Sequence, residues 1–150
     1  MRLVIQRAME ASVSVDGVIC GEINRGLMIL VGVEKGDCQE DSEWLAHKVA
    51  NMRIFSDNEG KMNLSVCEIG GEILAISQFT LTASTRKGNR PSYIRAENPE
   101  PANLLYLDFC ERLSLLTETE VKKGIFGADM KVSLINDGPV TIIIDSRLRD

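Results

Sequence analysis

Apolar and polar positions along this chain follow two rhythms, an alternating one at both ends and a helical one between. RLVIQR, from Arg2 to Arg7, is a short β-type run. In ASVSVDGVICGEI, Ala11, Val13 and Val15 alternate with Ser12, Ser14 and Asp16. Alternation at period two predicts half-buried strands, and Asp16-Gly17 between two such runs predicts a tight hairpin. GLMILVGV, Gly26 to Val33, is almost continuously apolar and predicts a strand buried on both faces. Trp44, Leu45, Lys48, Val49 and Met52 then share one helical face. Asp37 and Glu40 form a D-x-x-E capping pattern just ahead, so a helix is predicted from about Cys38 to Met52. His47, the only histidine, lies on it with no partner nearby in sequence, which points to a surface residue and not a catalytic base.

Beyond Ile54, FSDNEGKMNLSV reads as a polar loop. GGEILAISQFTL, Gly70 to Leu81, opens on a turn pair and continues as another buried strand. The segment Thr82 to Pro101 is long, polar and punctuated by glycine and proline, a length that in compact domains goes with function or mobility. Pro101 suits the first turn of a second helix, on which Leu105, Phe109, Leu113 and Leu116 form an apolar stripe facing a core. The chain closes with MKVSLINDGPVTIIID, two β-runs around Asp137-Gly138, a favoured turn pair. The order β-β-β-α-β-β-α-β-β, with no repeat and no linker, predicts a single α+β domain over residues 1–150: two main helices covering one side of a mostly antiparallel sheet. Some apolar strand faces are left over, which calls for a second sheet or a partner subunit.

Composition narrows the function classes. With 150 residues, 44% hydrophobic and 26% charged, the chain can bury a core without staples. A formal net charge of −5 argues against coating nucleic acid by bulk charge, while leaving room for a local basic patch. Such a cluster is present: Arg86, Lys87 and Arg90, with Arg95 just beyond, open to reading as a solvated loop or as a phosphate contact. Cys20, Cys38, Cys67 and Cys110 form no C-x-x-C pair and match no zinc spacing, so they read as reduced thiols of a cytoplasmic protein, and no metal or cofactor is expected. No stretch approaches the ~18 apolar residues of a membrane span, and the N-terminus lacks a signal-type apolar core.

There is no G-x-S-x-G elbow, no H-E-x-x-H and no P-loop. Two polar islands on apolar strands remain. Ser77-Gln78-Phe79-Thr80-Leu81 ends a buried strand in hydroxyls, an amide and backbone N–H groups, which could orient an ester and stabilise an oxyanion, or simply satisfy one another. Asn136-Asp137-Gly138-Pro139-Val140-Thr141 has the composition of a hairpin turn, yet Pro139 removes a donor and cannot sit in a central strand.

At these islands the sequence resembles the D-aminoacyl-tRNA deacylases, which remove D-amino acids from mischarged tRNA. The resemblance spans essentially the whole chain: VIQRAMEASVSVDG, RIFSDNEGKMNLSV, SQFTL, KGNRPSY and FGADMKVSLINDGPVT. SQFTL and N-x-G-P-V-T together, in order, make the match specific. Tyr93 stands where phenylalanine is common. The resemblance implies a homodimer with a β-barrel-like α+β fold and an active site at the subunit interface. Ser77, Gln78, Phe79 and Thr80 would lie by the 3′-terminal adenosine of aminoacyl-tRNA and its ester. Phe126, Gly127 and Ala128 would lie near the adenosine. Gly138 and Pro139, joined by a cis peptide, would enter from the other subunit, with Arg7 holding them. Implied too are steric rejection of L-aminoacyl groups, action on glycyl-tRNA mischarged on tRNA-Ala, and a part in translation quality control in the cytoplasm. Either Thr80 or the ribose 2′-hydroxyl could assist attack. The rival readings are a non-enzymatic nucleic-acid binder on the same fold and an unrelated small esterase using Thr80.

Overall fold

The computed structural model describes residues 1–149; the domain expected over 1–150 ends on Asp150, which lies outside the described residues. One long strand, β1 (Arg2–Val15), organises the fold. It pairs antiparallel with β2 (Val18–Ile23), with β3 (Gly26–Gly32) and with the last strand, β8 (Lys131–Asp145). The first half of β1 takes β3 and the second half takes β2, while β8 runs along nearly all of it. RLVIQR and ASVSV are therefore one element, with register shifts around Ala8 taking up the break in alternation. The hairpin at Asp16-Gly17 forms as predicted, with φ of 50° and 79° at the two residues.

β3 leads through helix α1 (Gln39–Asn51) and a two-stranded ribbon, β4 (Phe55–Ser56) with β5 (Met62–Leu64), to β6 (Glu72–Ser77). β6 lies parallel to β3, as a long crossover permits. A two-residue strand, β7 (Lys122–Lys123), extends the sheet, again parallel, and helix α2 (Pro99–Thr117) precedes it. The sheet is thus antiparallel around β1 and parallel at β3–β6–β7. It curls until β2 approaches β7: a Cβ added at Gly21 would come within 2.9 Å of the Lys123 carbonyl. The result is an α+β architecture with a nearly closed barrel.

Curling explains the leftover apolar faces. One core lies between the sheet and the helices, built from Leu3, Ile5, Ile29, Leu45, Val49, Phe109 and Leu113. A second lies inside the barrel, built from Ala8, Val13, Ile23, Met28, Leu74 and Ile76. The sheet itself supplies part of that cover, while Met9, Ile135 and Ile143 on β1 and β8 stay exposed. Trp44 only borders the first core, with the Lys48 ammonium 5.4 Å from its ring centroid. His47 is exposed.

Several boundaries move. The cap of α1 falls one residue later than predicted: the Cys38 N–H donates to Asp41 at 2.9 Å. Asp37 instead accepts from the Glu34 N–H at 2.6 Å and pairs with Arg147 at 3.0 Å. The polar stretch after Ile54 holds the β4–β5 ribbon, closed by Asp57, whose carboxylate accepts from the N–H groups of Glu59 and Lys61. Pro99 starts α2, after Asn98, and Pro101 lies in its first turn as predicted. Strand β6 stops at Ser77; Phe79–Thr82 is a 3₁₀ turn. The predicted hairpin at Asp137-Gly138 does not form. Both flanking runs pair with β1, because β1 is long enough to take each of them. Among the described residues no helix is long and apolar enough to cross a membrane.

Candidate active site

The first polar island sits where the sheet runs out. β6 pairs with β3 up to Ser77 opposite Val31, and the Gln78 N–H adds one more rung, donating to the Val31 carbonyl at 2.8 Å. Leu81 N–H then donates to Gln78 C=O at 3.2 Å, and the Thr82 hydroxyl to Phe79 C=O at 2.8 Å, closing the 3₁₀ turn. The first N–H groups of a helical turn have no partner within it. Here those belong to Phe79 and Thr80. The Gln78 amide hydrogen-bonds the Thr80 hydroxyl.

A cavity of about 460 Å³ opens beside this turn. Ser77, Gln78 and Phe79 line one side, and Phe126, Gly127 and Ala128 another, so residues about fifty positions apart in sequence meet. The second group lies on a turn closed by the Ala128 N–H donating to Ile125 C=O at 3.1 Å. Gly127 sits there at φ 77°, where glycine is free and L side chains are not. Thr80 is not part of the cavity wall, nor are Arg7, Gly138 and Pro139.

Pattern reasoning missed Tyr106, Glu97 and Asp129 on this wall. Tyr106 follows Leu105 on the apolar stripe of α2, which was the available signal. Its hydroxyl donates to Ala75 C=O at 2.8 Å, pinning α2 to β6 two residues before Ser77, and its ring packs 6.2 Å from that of Phe126. Burial pushes this hydroxyl far above the usual phenol range, so it acts as a strut and not as an acid. Burial likewise pushes the neighbouring Cys110 thiol up to about 12, which removes it as a nucleophile. All four cysteines are free. Among the described residues no three His, Cys, Asp or Glu side chains are grouped to hold a metal ion.

The second island is a corner built into β8. Gln6 lies opposite Thr141 and Ala8 opposite Asn136, so one residue of β1 faces a loop of four, Asp137 to Val140. Asn136 and Thr141 close its neck: Asn136 Nδ2 donates to Thr141 Oγ1 at 3.1 Å, and Asn136 Oδ1 accepts from Val140 N–H at 3.1 Å. Arg7, the residue left over on β1, fills the gap. Its Nε donates to Asp137 C=O at 3.1 Å, its Nη1 to Ile54 C=O at 2.7 Å, and its guanidinium lies 3.3 Å from the Asp137 carboxylate. The Gly138-Pro139 peptide is cis, and both residues are exposed. Gly138 has φ 131°, and a Cβ there would meet Val140 Cγ2 at 2.8 Å and Arg7 Nη2 at 3.2 Å.

A family model described as D-Tyr-tRNA(Tyr) deacylase matches residues 4–145, which includes both islands and nearly all of the chain. The chain belongs to this family. A relative from Akkermansia muciniphila named D-aminoacyl-tRNA deacylase is 61% identical, with all of each chain covered. One of the same name from Parabacteroides distasonis is 56% identical over the same extent. Among solved structures, one titled c-Myc DNA Unwinding Element Binding Protein superposes with a TM-score of 0.90 at 40% identity, covering 97% of this chain and 98% of that one. A structure titled as a probable eukaryotic D-amino acid tRNA deacylase has a TM-score of 0.80 at 17% identity, covering 95% and 97%, and bears on the fold alone. The matched stretch contains both islands, of which one lines the cavity and the other stands outside it.

Proposed function

We propose that this protein is a D-aminoacyl-tRNA deacylase, a hydrolase of carboxylic ester bonds that frees tRNA from D-amino acids. Family membership over residues 4–145 and the relatives at 56% and 61% identity support the reading. The observation that carries it at the site is the meeting of Ser77-Gln78-Phe79 with Phe126-Gly127-Ala128 around one cavity. An adenosine fits between an aromatic ring and a turn, with its aminoacyl ester directed at the 3₁₀ turn. The N–H groups of Phe79 and Thr80 stabilise the oxyanion that forms when water attacks the ester. Thr80 is not the nucleophile: its hydroxyl partner is an amide, which is no base whichever end faces it. The ribose 2′-hydroxyl of the substrate assists the water.

The exposed corner at Gly138-Pro139 lines no part of the cavity of its own chain. In our reading it enters the cavity of a second copy, and the working unit is a homodimer in the cytoplasm, each copy acting as one deacylase domain. A backbone corner braced by Arg7, Asn136 and Thr141 presents a wall. A wall discriminates by clash, so it turns away an L-oriented Cβ without contacting the D side chain. Glycine has no Cβ, so glycyl-tRNA mischarged on tRNA-Ala is hydrolysed as well.

Matched D-tyrosyl-, L-tyrosyl- and glycyl-tRNA, followed by loss of the labelled ester, test the proposal. Rapid loss from the D and glycyl forms, with the L form stable, is the expected pattern. Equal loss from D and L forms would remove the wall. The structure titled as a DNA-element binder, at 40% identity, favours a second reading, nucleic-acid binding without hydrolysis. Stability of every ester alongside tight binding to duplex DNA would replace the first reading with that one.

A further inference from the structure

Three neighbouring cations, Arg86, Lys87 and Arg90, belong to neither island. We propose that the loop from Thr85 to Pro91 is a phosphate clamp, in which Arg86, Lys87 and Arg90 hold the sugar-phosphate backbone of the RNA whose 3′ end occupies the cavity. The inference rests on the reading of that cavity as the aminoacyl-adenosine site.

The loop is tethered to the cavity rim. Ser84 and Ser92 exchange two backbone hydrogen bonds of 2.9 Å, which closes its base. Just beyond, Tyr93 sets its ring edge-on to Phe79, with centroids 5.1 Å apart. Phe79 lines the cavity although the residue is 58% exposed, so the ring pair marks the rim. From the Ser84–Ser92 base, three or four extended residues reach at most roughly 14 Å. The cations at the tip therefore stand within a nucleotide or two of the opening.

Charge assigns the occupant. Arg86, Lys87 and Arg90 are exposed, and among the described residues none makes an ion pair. Arg95, at the foot of the loop, is committed to the fold: its Nη2 donates to Thr82 C=O at 3.1 Å and lies 3.6 Å from Glu34. The chain as a whole carries −5, so three unpaired cations within five residues are a local reversal of sign. The cavity lining includes Glu97 and Asp129 but no lysine or arginine, a poor place for a phosphodiester. A nucleic acid whose terminal sugar and base enter the cavity must keep its phosphates outside it, and the loop is where positive charge waits. Arginine and lysine reading phosphate position a nucleic acid without reading its sequence, which suits an enzyme that must accept many tRNAs.

Neutralising the loop with Arg86→Gln, Lys87→Gln and Arg90→Gln tests the clamp on two substrates. One is D-tyrosyl-tRNA. The other is 3′-O-D-tyrosyl-adenosine, which has no phosphate. The KM for the tRNA should rise about tenfold or more near 0.15 M salt, with hydrolysis of the nucleoside ester unchanged. Affinity for uncharged tRNA, read by fluorescence anisotropy, should lose roughly 2 from its log–log salt slope, as expected for three contacts to a single strand. Arg86→Lys with Arg90→Lys should keep the slope. An unchanged KM and an unchanged slope overturn the clamp, as does an equal loss of activity on the nucleoside ester. A wild-type protein inert on both esters, whose affinity for tRNA still depends on the loop, overturns the deacylase reading and leaves the clamp standing.

Discussion

At Ser77 a strand stops, and its last backbone groups turn into a cavity; at Asn136 a strand steps aside and then resumes. The first island is made by running out of sheet. Gln78 makes the final rung with Val31, and the 3₁₀ turn that follows leaves N–H groups without intrahelical partners. The second is made by a surplus of residues against β1, with side chains of Asn136, Thr141 and Arg7 bracing the surplus. One island presents donors where charge can develop. The other presents a stiff, exposed surface with no cavity of its own. In the proposed reading the labour is divided, chemistry at one island and exclusion at the other, and each can be disturbed separately.

The largest expected effect is at the corner. Gly138→Ala places a methyl against Val140 Cγ2 and Arg7 Nη2, at a φ of 131° that L residues rarely adopt. Both neighbours must shift. A displacement on the order of 1 Å in a positioning element costs about a hundredfold in rate. We expect a loss of that size in kcat/KM on D-tyrosyl-tRNA. The methyl strains its own chain first, so thermal unfolding must be measured beside the kinetics; a fully active variant would remove the corner from the site.

Arg7→Lys comes next. A lysine cannot reach Asp137 C=O and Ile54 C=O together, since it lacks the guanidinium fork. Loss of charged hydrogen bonds of this kind costs about 1.5–3 kcal/mol. If the corner acts by exclusion, the D-over-L preference should fall more than the D rate does. Equal loss of both would assign Arg7 to stability alone.

Asp145→Asn supplies a control on the same strand. Asp145 ends β8 and pairs with Arg2 at 2.8 Å, far along the strand from the corner. Burial alone would raise its pKa, but hydrogen bonds from the Arg147 N–H and the Arg2 guanidinium outweigh that and hold it below the ordinary carboxylate value. The unfolded chain therefore binds the proton more readily. The stabilisation is complete above an unfolded pKa of about 4 and is lost as pH falls through the lower folded value. Asn should cost about 1–2 kcal/mol at pH 7, flatten the acid limb of the stability profile and leave the D/L ratio alone. Melting temperatures between pH 2 and 7 read the first two, and a changed ratio would break the separation of corner from strand.

The two islands also differ in how much of them the residues disclosed. Period-two and helical patterns located β2, β3, β6 and both helices, since burial on one face is written into spacing. SQFTL could be placed at the end of a strand for the same reason. The corner could not. Asp137-Gly138 carries hairpin propensity, and whether its flanks pair with each other or with a third strand depends on the length of β1, a long-range property. RLVIQR and ASVSV likewise looked like two strands because the alternation breaks where the register slips. Tyr106 was hidden beside the apolar stripe of α2, because its place on the helix says nothing about where its hydroxyl points.

The smallest effect belongs to Thr80→Ala, and it tests the chemical half of the comparison. Its hydroxyl meets the Gln78 amide, and its side chain lies off the cavity wall. A threonine nucleophile needs a base to take its proton. A backbone donor needs only its N–H, which alanine keeps. Thr80→Ala should therefore retain kcat/KM within about tenfold on D-tyrosyl-tRNA, since a tenfold change is ~1.4 kcal/mol, the order of one neutral hydrogen bond. Thr80→Pro would delete the N–H itself and should cost far more, about a hundredfold for one oxyanion donor. Circular dichroism on both variants separates this from a failure of the turn. A folded alanine variant with no activity would make Thr80 the nucleophile and move the chemistry from backbone to side chain.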